Sequence, residues 1–300
     1  MKRVGFIGAG RWATPYALAV KSAGGEAGGI YAPDDSAVKL AEKCGGQVID
    51  DPRKVIEDSD LVLIGSPSDT HADYVEMAAE CGKTVLCASP VAVNELTLGR
   101  VRGVADRVQG FCSLPMRWRG EFQKLKSTLK SGDLGTTGMI RLGICKARPD
   151  GWRSEEVRSG GILAEDGVHL LDLLEWLEGP IERIHGEKSV SADSGKEYVL
   201  AVARMQSGAI AHLELSWAEP QGIAYDYYEV AGSNGILEFD SRREPLMVID
   251  EFDGERGRVV YPGATSAETE LRAVLAGGEG CATIAEGAAL AERALTLVRL

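Results

Sequence analysis

The strongest constraint on this chain lies at its start. Val4, Phe6 and Ile7 form a short apolar run that leads directly into Gly8-Ala-Gly10-Arg11-Trp12-Ala13. An apolar strand, then G-x-G-x-x-A, then a helix is the fingerprint of a dinucleotide-binding βαβ unit. Gly8 permits the tight turn out of the strand, Gly10 lets the backbone approach a pyrophosphate, and Ala13 keeps the helix close to the sheet. The helix expected over 13–23 turns unpaired N–H groups and a partial positive charge toward the phosphates. Arg11 and Trp12 lie in the same loop and join Gly8, Gly10 and Ala13 as cofactor-binding candidates.

The chain beyond this loop keeps to the same architecture. Strands expected at 27–31, 48–49, 60–65, 84–87 and 108–112 alternate with helices at 36–44, 51–58, 72–81 and 94–105. Such alternation specifies an open parallel α/β sheet. Ligands bind such sheets at the carboxyl ends of their strands. That rule marks the loop holding Ser66, Pro67 and His71, where His71 either lines a cofactor pocket or caps the next helix. The end of the second strand reads the adenosine ribose, and an acidic residue there favours NAD over NADP. Ala32 holds that position, with Asp34 and Asp35 close by and no Arg or Lys directly after, so the cofactor is NAD or NADP with a lean to NAD.

After Leu114 the pattern changes. A helix over 120–131 is stopped by Gly132, and period-2 strands come next at 138–146, 181–191, 198–206, 209–217, 225–232, 235–240 and 245–249. Turns such as Gln206-Ser-Gly208 and Ser233-Asn-Gly235 separate them. Helices at 266–276 and 283–300 close the chain. The expected organisation is a Rossmann domain over 1–118 and an α+β domain over 119–300. The second domain carries an open, mostly antiparallel sheet, and the final helix is free to pack back on the first domain. A lone sheet with few covering helices also predicts a homodimer or homotetramer built on its open face.

Charge narrows the partners. The 33 basic and 45 acidic side chains give −12, which argues against nucleic acid and anionic membrane surfaces but leaves room for a locally basic pocket. No apolar run approaches the roughly 20 residues of a membrane span. The chain enters a folded strand without an apolar leader, so a cytoplasmic location is expected. The 6 cysteines show no C-x-x-C spacing and read as reduced packing residues, with neither disulfides nor a zinc site.

Several separated motifs converge on one family. They are Gly8-x-Gly10-x-x-Ala13, Pro67-x-x-x-His71, Cys87-Ala-Ser-Pro90, Arg117, Ser131-Gly-Asp-Leu-Gly135, Gly160-Gly-Ile-Leu-Ala-Glu-Asp-Gly-Val-His169-Leu-Leu-Asp172 and Val230-Ala-Gly-Ser-Asn-Gly-Ile-Leu237. In their order and spacing the chain resembles the Gfo/Idh/MocA oxidoreductases over nearly its full length. The resemblance implies hydride exchange between NAD(P) and a sugar, polyol or related carbonyl or imine substrate, and assembly through the second-domain sheet. It also places Ser89 and Pro90 beside the cofactor, and Arg117, Trp152 and Arg153 near the substrate. Two departures stand out. The family's Glu-Lys-Pro becomes Ala88-Ser89-Pro90, so its catalytic lysine falls on serine, and the Asp four residues before the site histidine falls on Glu165.

On a regular helix Glu165, His169 and Asp172 are spaced i, i+4, i+7 and share one face, with Leu170, Leu171, Leu174 and Leu177 on an apolar side. A histidine held by carboxylates can exchange a proton near neutral pH. His169 is therefore the expected acid/base and substrate contact, oriented by Glu165 and Asp172. The plainer alternative is a solvated acidic helix face around a packed histidine. The spacing would allow a metal, but no second histidine is near and none is expected. Arg117 could bind substrate bidentately or pair with a surface acid, and Trp152 could stack on a ring or seal the domain seam. Ser89 supplies no cation, which leaves three outcomes: His169 acting alone, a substrate that needs little proton help, or binding without turnover. The readings are thus an NAD(P)-dependent oxidoreductase or a non-catalytic dinucleotide and metabolite sensor.

Overall fold

Thirty-odd residues beyond the second sheet return to the first, and this return decides how the halves are joined. The structure, a computed structural model, describes residues 1–250, 256–259 and 265–298, with 243–250 and 256–259 by backbone alone. The first half alternates β1 (Lys2–Ile7), α1 (Ala13–Ala19), β2 (Gly25–Tyr31), α2 (Ser36–Cys44), β3 (Gln47–Val48), α3 (Pro52–Glu57) and β4 (Leu61–Ile64). It continues through α4 (His71–Glu80), β5 (Thr84–Ala88), α5 (Glu95–Val104) and β6 (Gly110–Ser113). All four residues of β4 are buried, as are Val4 to Ile7 of β1, because helices cover both faces of this sheet.

The second half opens with α6 (Gly120–Ser131), β7 (Thr137–Lys146), α7 (Glu156–Ser159) and α8 (Val168–Glu178). Then come β8 (Ile181–Val190), β9 (Glu197–Met205), β10 (Ile210–Ser216), β11 (Ala224–Gly232), β12 (Gly235–Asp240), β13 (Arg243–Asp250) and β14 (Arg256–Val259). Last are α9 (Ser266–Leu275), β15 (Ala282–Thr283) and α10 (Ile284–Thr296). The helix expected over 283–300 has its final two positions outside the described residues.

Among the described residues, seven strands form one sheet in the order β15-β6-β5-β4-β1-β2-β3 and eight form the other, β14-β13-β12-β11-β7-β10-β9-β8. In the first sheet only β15 runs antiparallel, against β6. The strand order reverses direction at β1, between β2 and β4, and such a switch point opens a crevice at the carboxyl ends. In the second sheet β7 and β10 pair in parallel and the other pairs are antiparallel. Strand β9 alternates between buried and exposed side chains. Its inner residues join the core, while Tyr198, Leu200 and Val202 face outward beside the exposed Ile210 of β10.

The expected second domain, 119–300, left only the final helix free to pack on the first, but α9 and β15 go there as well. Strand β15 completes the first sheet, α10 packs on α5 and β6, and α9 packs on α1. The reason is a polar anchor that no hydrophobic periodicity reveals. Glu270 of α9, 1% exposed, accepts the Leu114 N–H at 2.9 Å and the Ser113 hydroxyl at 2.8 Å, and also the Tyr16 hydroxyl. Burial pushes the Glu270 carboxyl and the Tyr16 phenol up, so these hydrogen bonds must offset a desolvation cost. Around them Leu271 and Val274 share a core with Val4, Phe6, Tyr16 and Leu63.

Glu270→Ala is expected to lower stability by about 2–4 kcal/mol, because the Leu114 N–H loses its acceptor and a cavity opens. Chemical denaturation measures this. A change under about 0.5 kcal/mol would show that the anchor is dispensable.

Candidate active site

The crevice at the switch point faces the second sheet across a cleft of about 720 Å³. Arg11, Trp12 and Ser89 line it from the first domain, and Lys146, Arg153, Glu165, Asp166 and His169 from the second.

The glycine loop forms the first wall. Gly8 has φ +94°, and a Cβ there would meet Ser66 N at 2.4 Å. The loop is thus pressed onto the start of the next strand's loop, and its N–H donates to the Tyr31 carbonyl at 2.8 Å. Gly10 is different: a Cβ there meets nothing within 4 Å. The open space lies in front of an exposed glycine, and α1, which begins at Ala13, has no side-chain cap on its first turn. These features fit a dinucleotide whose pyrophosphate lies against Gly10, with Arg11 and Trp12 beside it. Trp12 packs at 4.5 Å on Tyr16 and so is braced by the same network that holds α9.

The neighbouring loops hold the remaining candidates. His71 is 1% exposed, with Nδ1 2.8 Å from the Pro90 carbonyl and Nε2 2.9 Å from the Ser66 carbonyl. With both ring nitrogens on backbone carbonyls, it ties the loops after β4 and β5 together from beneath, and burial draws its pKa down. Ser66 accepts the Thr70 hydroxyl at 2.7 Å, and Pro67 precedes a single 3₁₀ turn. Ala32 follows β2 and packs partly into the core, while Asp34 accepts the Ser36 N–H at 2.9 Å at the start of α2.

The second wall departs from the expected helix face. Residues Leu163–Gly167 form a π-helical turn before α8. A π turn takes in an extra residue, so the i, i+4, i+7 alignment fails across it. Glu165, His169 and Asp172 go to three different partners, and the expectation that the carboxylates orient His169 is corrected accordingly. His169 Nε2 lies 3.2 Å from the Ser89 hydroxyl, and its Nδ1 is buried without a hydrogen-bond partner among the described residues. Glu165 lies 3.5 Å from the Arg153 guanidinium and 3.4 Å from the Ser68 hydroxyl. Asp172, 1% exposed, is held by the Arg117 guanidinium, whose Nε lies 3.0 and 2.9 Å from the two carboxylate oxygens. Arg117 is consequently an internal counter-ion to Asp172, outside the cleft lining, rather than a free substrate contact. Trp152 also lies outside the lining, where its ring stacks under Arg153 at 4.8 Å.

Sequence reasoning passed over Asp166 and Lys146. The π turn swings Asp166 toward the second sheet, where it accepts Lys146 Nζ at 2.6 Å and the Trp217 indole N–H at 2.6 Å. Adjacency to Glu165 was the available signal, but a regular helical register hid it.

Electrostatics divides the two groups that face the cleft. Burial draws the His169 pKa down to about 4, with Asp166 opposing and Lys146 assisting, so the ring is neutral at neutral pH. Burial pushes the Glu165 carboxyl up to about 7. Arg153 opposes that rise, Asp166 adds to it, and Lys146 and the Ser68 hydroxyl oppose it. A group that titrates near neutral pH in a cleft is suited to proton transfer.

Known proteins share this arrangement of domains. Residues 2–109 match the oxidoreductase family model with an NAD-binding Rossmann fold, and residues 122–238 match the GFO/IDH/MocA C-terminal domain. The chain is 29% identical to myo-inositol 2-dehydrogenase of Thermotoga maritima over 277 residues, 86% of this chain and 81% of that protein. It is 28% identical to inositol 2-dehydrogenase of Rhizobium meliloti over 271 residues, 84% and 79% of the two chains. The fold matches levoglucosan dehydrogenase in complex with NADH and L-sorbose with a TM-score of 0.83 at 20% identity, covering 98% of this chain and 96% of that one. A probable dehydrogenase from Thermotoga maritima matches with a TM-score of 0.81 at 25% identity, covering 97% and 94%.

The two glycines should separate binding from folding. Gly10→Val is expected to abolish NAD binding in calorimetry with the fold retained, because its side chain enters open space. Gly8→Ala is expected to lower the thermal midpoint, because its Cβ meets backbone. Unchanged NAD affinity in Gly10→Val would remove the loop from the binding site.

Proposed function

Because the chain belongs to the Gfo/Idh/MocA oxidoreductase family, we propose that it oxidises a secondary alcohol of a small sugar or polyol in the cleft between its two sheets. The observation that carries this reading is the cleft itself, which sets Arg11 and Trp12 of the glycine loop opposite Glu165 and His169. The bound nicotinamide supplies the hydride acceptor. The chain's own residues manage the oxygen and its proton. Glu165, its carboxyl pushed up to about 7 by burial, takes the hydroxyl proton in its ionised form. Neutral His169 hydrogen-bonds the same hydroxyl and exchanges the Ser89 contact for it. Arg153 beside it favours the ionised form, so Glu165 then releases the proton to water in the open cleft. This gives Glu165 the proton-carrying role expected of His169, since a base with a pKa near 4 is poorly matched to neutral pH.

The acidic Asp34 and Asp35 beside Ala32 favour NAD over NADP, because a 2′-phosphate there would meet negative charge and no Arg or Lys directly after the strand. The exposed Tyr198, Leu200, Val202 and Ile210 support assembly as a homodimer or homotetramer, with a second copy covering this face of the sheet. Light scattering at micromolar concentration should show more than one subunit, and Leu200→Glu with Val202→Glu should shift the protein toward monomer. A monomeric wild type contradicts this assembly.

The relatives suggest a substrate panel of myo-inositol, levoglucosan and glucose 6-phosphate, each assayed with NAD and NADP. Oxidation needs ionised Glu165, so its rate should rise with pH through about 7 and then level, while the reverse reduction falls over the same range. Glu165→Gln should lower kcat by about 10²–10⁴-fold and flatten the profile. His169→Ala should leave the inflection in place. An inflection near 4, with a flat profile at neutral pH, would return the proton to His169. Measurable metabolite binding without turnover of any panel member would favour the sensor reading.

A further inference from the structure

Lys146 ends β7 and enters the cleft, its side chain 28% exposed. Its ammonium donates to Asp166 Oδ1 at 2.6 Å, and the other oxygen of Asp166 accepts the Trp217 indole N–H at 2.6 Å. Asp166 is 6% exposed and Trp217 1%, so the acceptor that aims the lysine is itself fixed from two sides. An ammonium has three donors, and Asp166 takes one of them.

The other cations of the second wall are committed. Arg153 faces Glu165 and stacks on Trp152. Arg148 donates to the Gly195 carbonyl at 2.6 Å and the Ser154 carbonyl at 2.9 Å, and lies 3.6 Å from Glu197. The opposite wall offers the uncharged Ser89 hydroxyl beside His169, and its own cation, Arg11, belongs to the glycine loop, where the pyrophosphate would engage it. Alcohol oxidation builds negative charge on the oxygen as hydride departs. A fixed cation in a partly desolvated cleft stabilises that charge far better than bulk water does.

We propose that Lys146 is the cation that holds the alcohol oxygen during hydride transfer, positioned by Asp166 and Trp217, with Ser89 a hydrogen-bonding wall opposite. The assignment rests on the oxidoreductase reading above. The C–H bond breaks and its electron pair leaves as hydride for the oxidised nicotinamide. The O–H bond breaks, its proton passes to the Glu165 carboxylate, and its electron pair becomes the second bond of the carbonyl. Lys146 only donates a hydrogen bond and takes no part in the proton transfer.

The test uses the full chain with NAD and an alcohol that the wild type oxidises. Lys146→Gln keeps an N–H donor for Asp166 but removes the charge. It should lower kcat by about 10²–10³-fold with a much smaller change in KM, as for an interaction made in the transition state. NAD affinity should stay within about twofold of wild type, because the phosphates lie on the other wall. Adding Ser89→Lys to this variant returns a cation from the opposite side and should recover about tenfold in kcat. In cofactor-free protein, the His169 ring resonances should titrate at higher pH in Lys146→Gln, because the lysine charge that depresses them is gone. Three results overturn the assignment alone: kcat within about threefold of wild type, an unmoved His169 titration, or a kcat loss that follows the thermal midpoint and is not relieved by Ser89→Lys. A wild type that oxidises no alcohol overturns the functional reading and this assignment with it.

Discussion

The cleft depends on one π-helical turn, Leu163–Gly167, wedged between the two sheets. A regular helix at that point would present one polar face to one neighbour. The wider turn lets consecutive carboxylates serve opposite sides, with Asp166 bonded into the second sheet through Lys146 and Trp217 and Glu165 left in the cleft. His169, at the start of α8, then meets Ser89 across the domain boundary. Irregular helical turns of this kind recur at functional sites because they aim side chains that a uniform repeat cannot.

Burial gives these side chains their chemistry. The same desolvation that holds His169 neutral raises Glu165 toward neutral pH, since it opposes whichever form is charged. Asp172 is also raised by burial, to about 6, yet it faces Arg117 rather than the cleft and serves packing. A titratable group near the site is therefore informative only together with the surface it faces. The first wall is held as firmly by a different device. Glu270 joins α9 to Tyr16 of α1 and to the end of β6, so the C-terminal segment braces the helix that follows the glycine loop.

Much of this was legible in the sequence where a local rule applied. Strand-helix alternation up to β6 and period-2 strands from β7 onward come from side-chain periodicity, and the helices Ser36–Cys44 and Gly120–Ser131 end at Gly45 and Gly132, both at positive φ. The Gly8–Ala13 loop was legible because Gly8 sits at positive φ against backbone, while Gly10 leaves open space in front of the loop. The site was less so. The π turn at 163–167 has no periodic signature, so Asp166 was overlooked and Asp172 was turned the wrong way. Arg117 was undecidable and Lys146 passed over because an ion pair depends on which chain segments meet, and Asp172 and Asp166 lie far from them in sequence. The same holds for Glu270 and Tyr16, and hence for the return of α9 and β15 to the first domain.

The central claim is that the glycine loop and the π-turn segment form the two walls of one reaction site. A crystal structure of the chain with bound NADH tests it most directly. The account predicts the pyrophosphate against Gly10 and the nicotinamide ring inside the cleft, its reactive carbon facing the space between Glu165, His169 and Lys146. A nicotinamide ring placed outside the cleft, with the pyrophosphate away from Gly8–Ala13, contradicts it.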